Sequence, residues 1–302
     1  MLKSLYAGVS GMKSQQTKMD VIANNIANVS TTGFKSGRVR FEDMISQIDA
    51  AAQGANNNRG GVNAQQVGMG VQVSGTDTIM TGGSLQATGR GLDFGIQNGD
   101  NSFFIVSGSG DGNNAMQYTR DGGFYTDEDG NLVTSSGMRV MGYTPANGLD
   151  LIDGNEGELG TGNLSELVIH ETYTLTDEDG NETTITLQSF NIDDTGNIIG
   201  TYDDGQTYLL GRVGLANFTN PDGLEKQGGN LYNQTANSGI AQIGAPSDEG
   251  FGVIRSGFLE MSNVDLANEF TDMIVTSRAY QANSRAITTS DEMLQELLNL
   301  KR

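Results

Sequence analysis

The chain has 302 residues and a formal net charge of −20, with 37 Asp and Glu residues against 17 Lys and Arg residues. It contains no cysteine, which excludes disulfides, thiolate chemistry and Cys-ligated zinc. Its single histidine, His170, excludes a histidine-based metal cluster within one chain.

The negative charge is concentrated in the middle of the chain. Residues 91–210 contain 21 acidic residues against Arg120 and Arg139, whereas residues 1–45 sum to +3 and residues 256–302 to −3. This acidic middle argues against nucleic acid or an anionic membrane surface as a partner. No stretch approaches the ~20 apolar residues of a membrane span. The first residues lead into an amphipathic pattern rather than the apolar core of a signal peptide.

The N-terminal residues predict an amphipathic helix over residues 1–30. Apolar or small residues recur in steps of three and four, and Gln16 is the one polar member of the stripe. This spacing places them along one seam of a helix, and about four heptads are enough for a coiled-coil signal. The stripe consists of Leu2, Leu5, Val9, Met12, Met19, Ala23 and Ile26.

The middle of the chain predicts an all-β region. Glycine accounts for 43 residues and proline for 3, and short apolar or alternating runs recur between Asp-Gly and Gly-Asn turns. Strands of this length and spacing indicate an antiparallel sheet rather than βαβ units. The runs are residues 70–73, 103–106, 131–134, 183–187, 207–210 and 213–218.

The hexapeptide Thr-Asp-Glu-Asp-Gly-Asn occurs twice, at residues 126–131 and 176–181. Clustered carboxylates suit calcium, which prefers several oxygen ligands, but the glycine comes two positions too early for an EF-hand loop. Asp-Gly and Gly-Asn between strand-like runs are typical of tight turns. We predict a hairpin turn at each copy, with calcium binding as the alternative.

No catalytic residue, cofactor or metal site is predicted. His170 lies in a strand-like run with no nucleophile elbow near any serine, which predicts a half-exposed strand histidine. The glycine-rich residues 108–112 are not followed by a helix start and predict no phosphate-binding loop. A structural, self-assembling protein is therefore the main hypothesis, and an acidic β-domain enzyme or calcium-binding module is the rival class.

The C-terminal residues repeat the rhythm of the N-terminal ones. Ser277, Ser284 and Asp291 occupy the steps that are not apolar. Because both termini carry matching stripes, we expect helix–helix contacts that serve assembly. The apolar and aromatic members of the stripe are Leu266, Phe270, Met273, Tyr280, Ile287, Leu294 and Leu298.

The predicted fold class is mainly β with terminal α-helices, in which a split antiparallel β-domain is flanked by coiled-coil-like helices. The expected divisions are an N-terminal helix at 1–30, a linker region packing between helix and β-domain at 31–70, a β-domain at 71–144 and 188–257, a small acidic insertion at 145–187, and a C-terminal helix at 258–302.

Two stretches resemble the terminal signatures of bacterial flagellar rod and hook proteins. The first is residues 1–11 continuing to residues 20–35, with Ala-Asn-Asn-Ile-Ala-Asn-Val-Ser-Thr-Thr-Gly-Phe-Lys at its end. The second is residues 259–266 continuing through residues 278–285 to residues 291–294. The match is specific because two independent motifs stand at the corresponding ends of the chain.

Interior motifs are most similar to those of the hook protein. They are residues 59–70, 83–89, 118–124, 223–225 and 228–232. Many hook proteins carry a large outer domain where this chain has only residues 145–187. The short form leaves the distal-rod protein as the alternative.

The resemblance implies a subunit that stacks into a hollow curved tube and transmits torque from rod to filament. Its terminal helices would form the inner tube, as a homopolymer located outside the cell. It further implies export through the flagellar type III apparatus and contacts with the hook cap protein, the distal rod protein and the hook–filament junction protein. No nucleic acid or membrane partner is implied.

The resemblance also gives the helix residues two interpretations. Asn24, Asn25 and Asn28 are poor helix formers and weaken the end of the first helix; alternatively, their amides bond neighbouring subunits. Residues 31–33 are expected to stop that helix, with glycine in the left-handed conformation. Small residues would allow close backbone approach in a tube wall, or simply docking of each helix onto its own β-domain; they are Ala7, Gly8, Ser10, Gly11, Ala279, Ala282 and Ser284.

Overall fold

The structure is a computed structural model that describes residues 2–55, 60–108, 116–145, 150–151, 164–176 and 182–300. The chain divides into two compact units. The helical unit comprises Met1–Val29, Ser36–Ile79 and Val264–Arg302. The β unit comprises Ser30–Lys35 and Met80–Asn263.

The helical unit contains both terminal helices and two short antiparallel sheets. Strand β1 pairs with β4, and β2 pairs with β3. Helix α1 ends at Ala27, before residues 31–33, where the sequence predicts its end. The elements are α1 (Leu2–Ala27), β1 (Gly37–Asp43), β2 (Ser46–Ala50), β3 (Gln65–Gly68), β4 (Val71–Thr78) and α2 (Leu266–Leu300).

The start of α2 is fixed by Asp265. One carboxylate oxygen of Asp265 accepts a hydrogen bond from the backbone N–H of Ala267 at 2.9 Å, and the other accepts one from Asn268 Nδ2 at 2.8 Å. Aspartate before the first turn satisfies an N–H that has no partner inside the helix. The helix therefore begins at Leu266, eight residues after the boundary expected from the sequence.

In its described residues, the β unit consists of strands of 2 to 11 residues and one 3-10 turn, Pro221–Gly223. Every run that the sequence predicts as a strand in this unit lies within or overlaps one of them. The strands are β5 (Leu85–Ala87), β6 (Phe94–Gln97), β7 (Ser102–Ser107), β8 (Met116–Thr119), β9 (Phe124–Thr126), β10 (Leu132–Thr134), β11 (Arg139–Tyr143), β12 (Asp150–Leu151), β13 (Ser165–Glu166), β14 (Thr172–Thr176), β15 (Glu182–Ile192), β16 (Asn197–Tyr202), β17 (Thr207–Val213), β18 (Leu215–Asn217), β19 (Glu225–Gly228), β20 (Leu231–Asn233), β21 (Gln242–Gly244), β22 (Val253–Ser256) and β23 (Phe258–Glu260).

Within the described ranges, fifteen of these strands form one hydrogen-bonded network whose longest path is β14-β15-β16-β17-β11-β7-β8-β20-β19. All its pairings are antiparallel, and β6 and β5 pair separately with β22 and β23. Strands β12, β13 and β14 come from the expected insertion at 145–187, and they pair with β17, β11 and β15. The predicted fold class, mainly β with terminal helices, is confirmed.

Strand β7 shows how the core is built. Alternate side chains of a strand point to opposite faces, and β7 is buried on both. Phe104 and Val106 pack into one apolar cluster, while Phe103 and Ile105 pack into a second. A T-shaped ring pair joins Phe104 to Phe124 with centroids 5.3 Å apart. The β unit thus encloses two apolar cores that share one strand.

The first copy of the hexapeptide forms the predicted hairpin turn. Strands β9 and β10 pair in antiparallel register across it, and Gly130 has a φ of +80°, which favours glycine. Residues 177–181 of the second copy and residues 109–112 of the glycine-rich run lie outside the described residues. His170 is exposed in the segment before β14, so its assignment to a strand is wrong.

Candidate functional site

Helices α1 and α2 pack against each other in antiparallel fashion. Contacts pair early residues of α1 with late residues of α2: Ser4 Oγ lies 3.4 Å from Ser290 Oγ. At the other end of the contact, Asn25 Nδ2 donates to Glu269 Oε1 at 2.9 Å. These polar contacts fix the register of the two helices.

Two glycines of α1 bring the helix backbones close together. A Cβ added at Gly8 would lie 2.9 Å from Cγ1 of Ile287, and one at Gly11 would lie 2.7 Å from Nδ2 of Asn283. Both glycines are buried. Small residues at these positions permit close approach of the two helices within one chain, whereas the close approach expected in a tube wall stays a prediction.

Asn25 connects three elements of the helical unit. Only 2% of its surface is exposed; Nδ2 also donates to the Gly37 carbonyl at 2.8 Å, and Oδ1 accepts from the Gly37 N–H at 2.9 Å. Burial raises the pKa of Glu269, although the hydrogen bond from Asn25 acts in the opposite direction. Both atoms of the Asn25 amide are therefore used within its own chain, whereas Asn24 is exposed.

The same helix rests on the β1–β4 sheet. Ser14 Oγ donates to the Val71 carbonyl at 3.4 Å, and Ser10 Oγ accepts from the Val71 N–H at 3.3 Å. Gly70 has a φ of +126°, and a Cβ there would lie 2.2 Å from Ser10 Oγ. The inner face of α1 is thus lined mainly by glycine, serine and asparagine, together with the apolar Ile22.

The apolar stripes that the sequence singles out lie mostly beside this contact. Ile287 touches Gly8, but other members are half-buried or exposed, and nothing is described of the Leu2 side chain. The half-buried members are Leu5, Met12, Met19, Ile26, Met273 and Leu294, with Asn28 of the asparagine group. The exposed apolar members are Val9, Ala23, Leu266, Phe270, Tyr280 and Leu298.

Helix α2 exposes more apolar surface than the stripe alone. Phe270 is 50% exposed and Leu298 68% exposed. Further exposed apolar residues of α2 are Ile274, Val275, Met293, Leu297 and Leu300. Large exposed apolar surfaces on soluble proteins mark interaction sites. The sequence identifies the stripes but not the contact used within the chain, because glycine, asparagine and glutamate carry no apolar periodicity.

A second notable group, the buried ion cluster, lies in the β unit and consists of Lys35, Arg120 and Glu260. Lys35 Nζ donates to Glu260 Oε1 at 2.6 Å, and Arg120 Nη1 donates to Glu260 Oε2 at 3.0 Å. All three side chains are at most 1% exposed. Burial lowers the pKa of Lys35 and of Arg120, and the charge of Glu260 opposes both shifts.

The described residues hold no group of three or more His, Asp or Glu side chains arranged to bind a metal. No helix among them is long and apolar enough to cross a membrane. The features of note are therefore the exposed apolar side chains of the helices and the buried ion cluster.

Family models of flagellar axial proteins match three parts of the chain. The model of the flagella basal body rod protein matches residues 5–35, and that of the flagellar hook protein FlgE/F/G D1 domain matches residues 98–200. The model of the flagellar basal body rod FlgEFG protein C-terminal region matches residues 255–300. The three matches follow the order of the helices and the β unit along the chain.

Full-length relatives agree with these models. Flagellar basal-body rod protein FlgG of Bacillus subtilis (strain 168) is 46% identical over 303 aligned positions, covering 100% of both chains. Flagellar hook protein FlgE of Borreliella burgdorferi is 33% identical over 447 positions, again covering 100% of both. FlgG of the same organism is 38% identical over 303 positions, with the same coverage. The chain therefore belongs to the flagellar rod and hook protein family, as one of its short forms.

Proposed function

We propose that this chain is a structural subunit of the bacterial flagellar axis and assembles with copies of itself into a hollow tube through its two helices. The observation that carries the proposal is the apolar surface of α2, exemplified by Phe270 and Leu298, which the contact with α1 leaves exposed. Burial of apolar area contributes about 25 cal/mol per Å². Contact between copies would bury this surface and stabilise the helical unit at the same time.

Two positions along the axis suit such a subunit. The interior motifs favour the hook, with the hook relative of Borreliella burgdorferi at 33% identity in support. The distal rod is the second candidate, because the rod relative of Bacillus subtilis is 46% identical and aligns over 303 positions. The alignment with the hook relative spans 447 positions, whereas this chain has 302 residues, so the length of the chain favours the rod.

The proposal extends to partners and location. We infer export through the flagellar type III apparatus and a final place outside the cell, with the hook cap, distal rod and hook–filament junction proteins as neighbours. These partners rest on the family resemblance of the terminal motifs. The proposal includes no catalytic activity, since the relatives named above are structural proteins.

Electron microscopy of the purified chain at increasing concentration tests assembly directly. Above a critical concentration we expect tubes, and Phe270→Asp should raise that concentration by about 100-fold or abolish tubes, because it buries a charge at the interface. Asn237→Asp adds the same charge at an exposed turn of the β unit and should change the critical concentration by at most about threefold. Tubes that form equally well from both variants would contradict the proposal.

Microscopy of basal bodies from cells that lack the gene separates the two positions. A complete rod without a hook would assign the chain to the hook, whereas a rod that stops short would assign it to the distal rod. Normal rods, hooks and filaments would exclude both assignments.

A further inference from the structure

We propose that the buried ion cluster is a latch that holds the connecting segments of the β unit together, and that the latch closes only after the C-terminal strand β23 has delivered Glu260. The connecting segments are those where the chain passes between the two units, after Val29, Lys35, Ile79 and Asn263. The latch lies within the β unit, and its existence does not depend on the proposed assembly. Only the effect of the latch on assembly rests on the proposed function.

Each connecting segment contacts the latch or its immediate neighbours. Lys35 Nζ donates to the Thr81 carbonyl at 2.8 Å, and Asn263 Nδ2 donates to the same carbonyl at 3.2 Å. The Gly33 N–H donates to the Glu260 carbonyl at 2.8 Å. Three segments that are far apart in the sequence are thus tied within one or two residues of their exits from the β unit.

Glu260 is the centre of the latch because it is the shared acceptor. Oε1 accepts from Lys35 and also from the Gly83 N–H at 2.9 Å, while Oε2 accepts from Arg120. Arg120 in turn donates from Nη2 to the Gly99 carbonyl. Removing this one carboxylate would take away an acceptor shared by donors from three separate segments.

The latch contains more positive than negative charge, and this imbalance predicts how each substitution affects stability. Two cations, Lys35 and Arg120, share one buried anion, and Arg120 Nε has no hydrogen-bond partner among the described residues. The negative charge of Asp100 also opposes the effect of burial, which lowers the pKa of Lys35 and of Arg120, but Asp100 is exposed. A buried charge that loses its partner is strongly destabilising. Loss of Glu260 leaves two uncompensated cations, whereas loss of Lys35 leaves a balanced Arg120–Glu260 pair.

Close backbone packing also holds the connecting segments against one another. Gly33 has a φ of +66°, and a Cβ there would lie 2.7 Å from the backbone carbon of Arg120. A Cβ at Gly83 would lie 1.9 Å from the Met261 carbonyl oxygen. Glycine is therefore required at Gly33 and at Gly83, and the Gly33 conformation serves this contact rather than the end of α1.

The order of docking follows from sequence separation. Lys35 and Glu260 are 225 residues apart, and Arg120 and Glu260 are 140 apart. Until β23 pairs with β5, docking residues 30–35 would bury Lys35 beside Arg120 without an anion. The N-terminal connection is therefore expected to stay undocked until the β unit is complete, so that an incomplete chain would not present fixed connections for assembly.

Hydrogen exchange of the full-length protein, read by mass spectrometry, tests the latch. Glu260→Gln preserves the shape of the side chain but removes the anion, and exchange in residues 30–35 should rise by at least about tenfold. Its melting temperature should fall by roughly 10 °C, and by clearly more than that of Lys35→Met. The control, Glu171→Gln at an exposed position of the β unit, should leave both measurements unchanged.

The double variant Lys35→Met/Glu260→Gln separates a charge latch from simple packing. It restores the excess of one buried cation that the natural protein carries, so it should recover part of the melting temperature lost in Glu260→Gln, even if the single variant fails to fold. Equal losses in Glu260→Gln and Lys35→Met, or no recovery in the double variant, would overturn the proposal. Unchanged exchange in residues 30–35 of a folded Glu260→Gln variant would also overturn it.

Discussion

The β unit buries its apolar side chains within one chain, whereas the helical unit leaves most of its own exposed. In the β unit, Phe103, Phe104 and Phe124 have no exposed surface. Among the described residues of the helical unit, Ile22 is the one large apolar side chain that is more than nine-tenths buried. The other buried residues along its helices include Ser14, Asn25, Thr276 and Ser290, all of them polar.

This difference separates what folds a subunit from what joins subunits. Apolar burial supplies most of the stability of a domain, and the β unit has it without outside help. Hydrogen bonds contribute only about 1 kcal/mol each, so the contact through Asn25 and Glu269 sets the register of the helices more than it stabilises them. The apolar surface left over is then available for contact between copies.

Removing the helices should have the largest effect, because it should abolish assembly without preventing the β unit from folding. We expect the fragment of residues 30–263 to remain soluble and to melt cooperatively, because both apolar cores and the buried ion cluster lie within it. The same fragment should form no tubes at any concentration. Circular dichroism melts and electron microscopy check the two halves of this prediction, and tubes from the fragment would refute it. Truncation before Glu260 is a poor substitute because it removes the anion of the cluster.

Two phenylalanine-to-alanine variants, one in each unit, separate the effect on folding from the effect on assembly. Phe104→Ala opens a cavity in the buried aromatic cluster and should lower the free energy of unfolding by about 3–5 kcal/mol. Phe270→Ala removes a side chain that is 50% exposed and should change the monomer by at most about 0.5 kcal/mol. Phe270→Ala should instead raise the critical concentration for tubes by about tenfold. Denaturant melts and sedimentation of polymer measure the two effects, and a large loss of monomer stability in Phe270→Ala would mean that the Phe270 side chain is packed within its own chain.

Local patterns predict the elements of this fold well. Ile198 and Tyr202 alternate with less buried neighbours along β16, as a half-buried strand requires. Gly130 takes the positive φ that its Asp-Gly turn indicates. Both terminal helices follow from the spacing of apolar residues. Each of these features depends on residues that are close together in the sequence.

Contacts between distant residues could not be predicted in the same way. The ion pair of Lys35 with Glu260 joins two of many charged residues, and nothing in one sequence selects the partners. Periodicity identified the apolar stripes, but it does not show which face a helix uses within its own chain. The contact of Gly11 with Asn283 lies beside the stripe because small and polar side chains let the helices approach closely.

Two glycine-to-alanine variants test that close approach with opposite expected signs. Alanine favours a helix interior over glycine by about 1 kcal/mol. At Gly11 the new Cβ meets the amide end of Asn283, which can rotate away, so Gly11→Ala should be neutral or slightly stabilising. At Gly8 it meets Cγ1 of Ile287, whose branched side chain is restricted in a helix, so Gly8→Ala should cost about 1 kcal/mol net. Thermal melts followed by helical circular dichroism give the signs, and a gain in both variants would show that the helices are not in close contact.

The smallest effect concerns the carboxyl group of Glu269, which is partly buried at the helix contact. Burial, the first cause, raises the pKa of Glu269 in the folded chain, and Asp272 and Asp265 act in the same direction. A raised carboxyl pKa means that the folded state holds the proton more tightly than the unfolded state. The resulting stabilisation is complete below the ordinary pKa of the group and is lost as the pH rises through the raised value.

Glu269→Gln isolates this contribution, because glutamine cannot ionise but still offers an oxygen to Asn25 Nδ2. We expect the variant to melt about 1–2 °C above the natural chain near pH 8, with the difference shrinking as the pH falls through the raised pKa of Glu269. Glu292→Gln, at an exposed position of the same helix, should show no such pH dependence. If Glu269→Gln instead melts lower near pH 8, the attraction between ionised Glu269 and Lys18 outweighs burial. The helix contact would then owe its register to charge pairs such as Lys18 with Asp272, 3.5 Å apart, as well as to the asparagine.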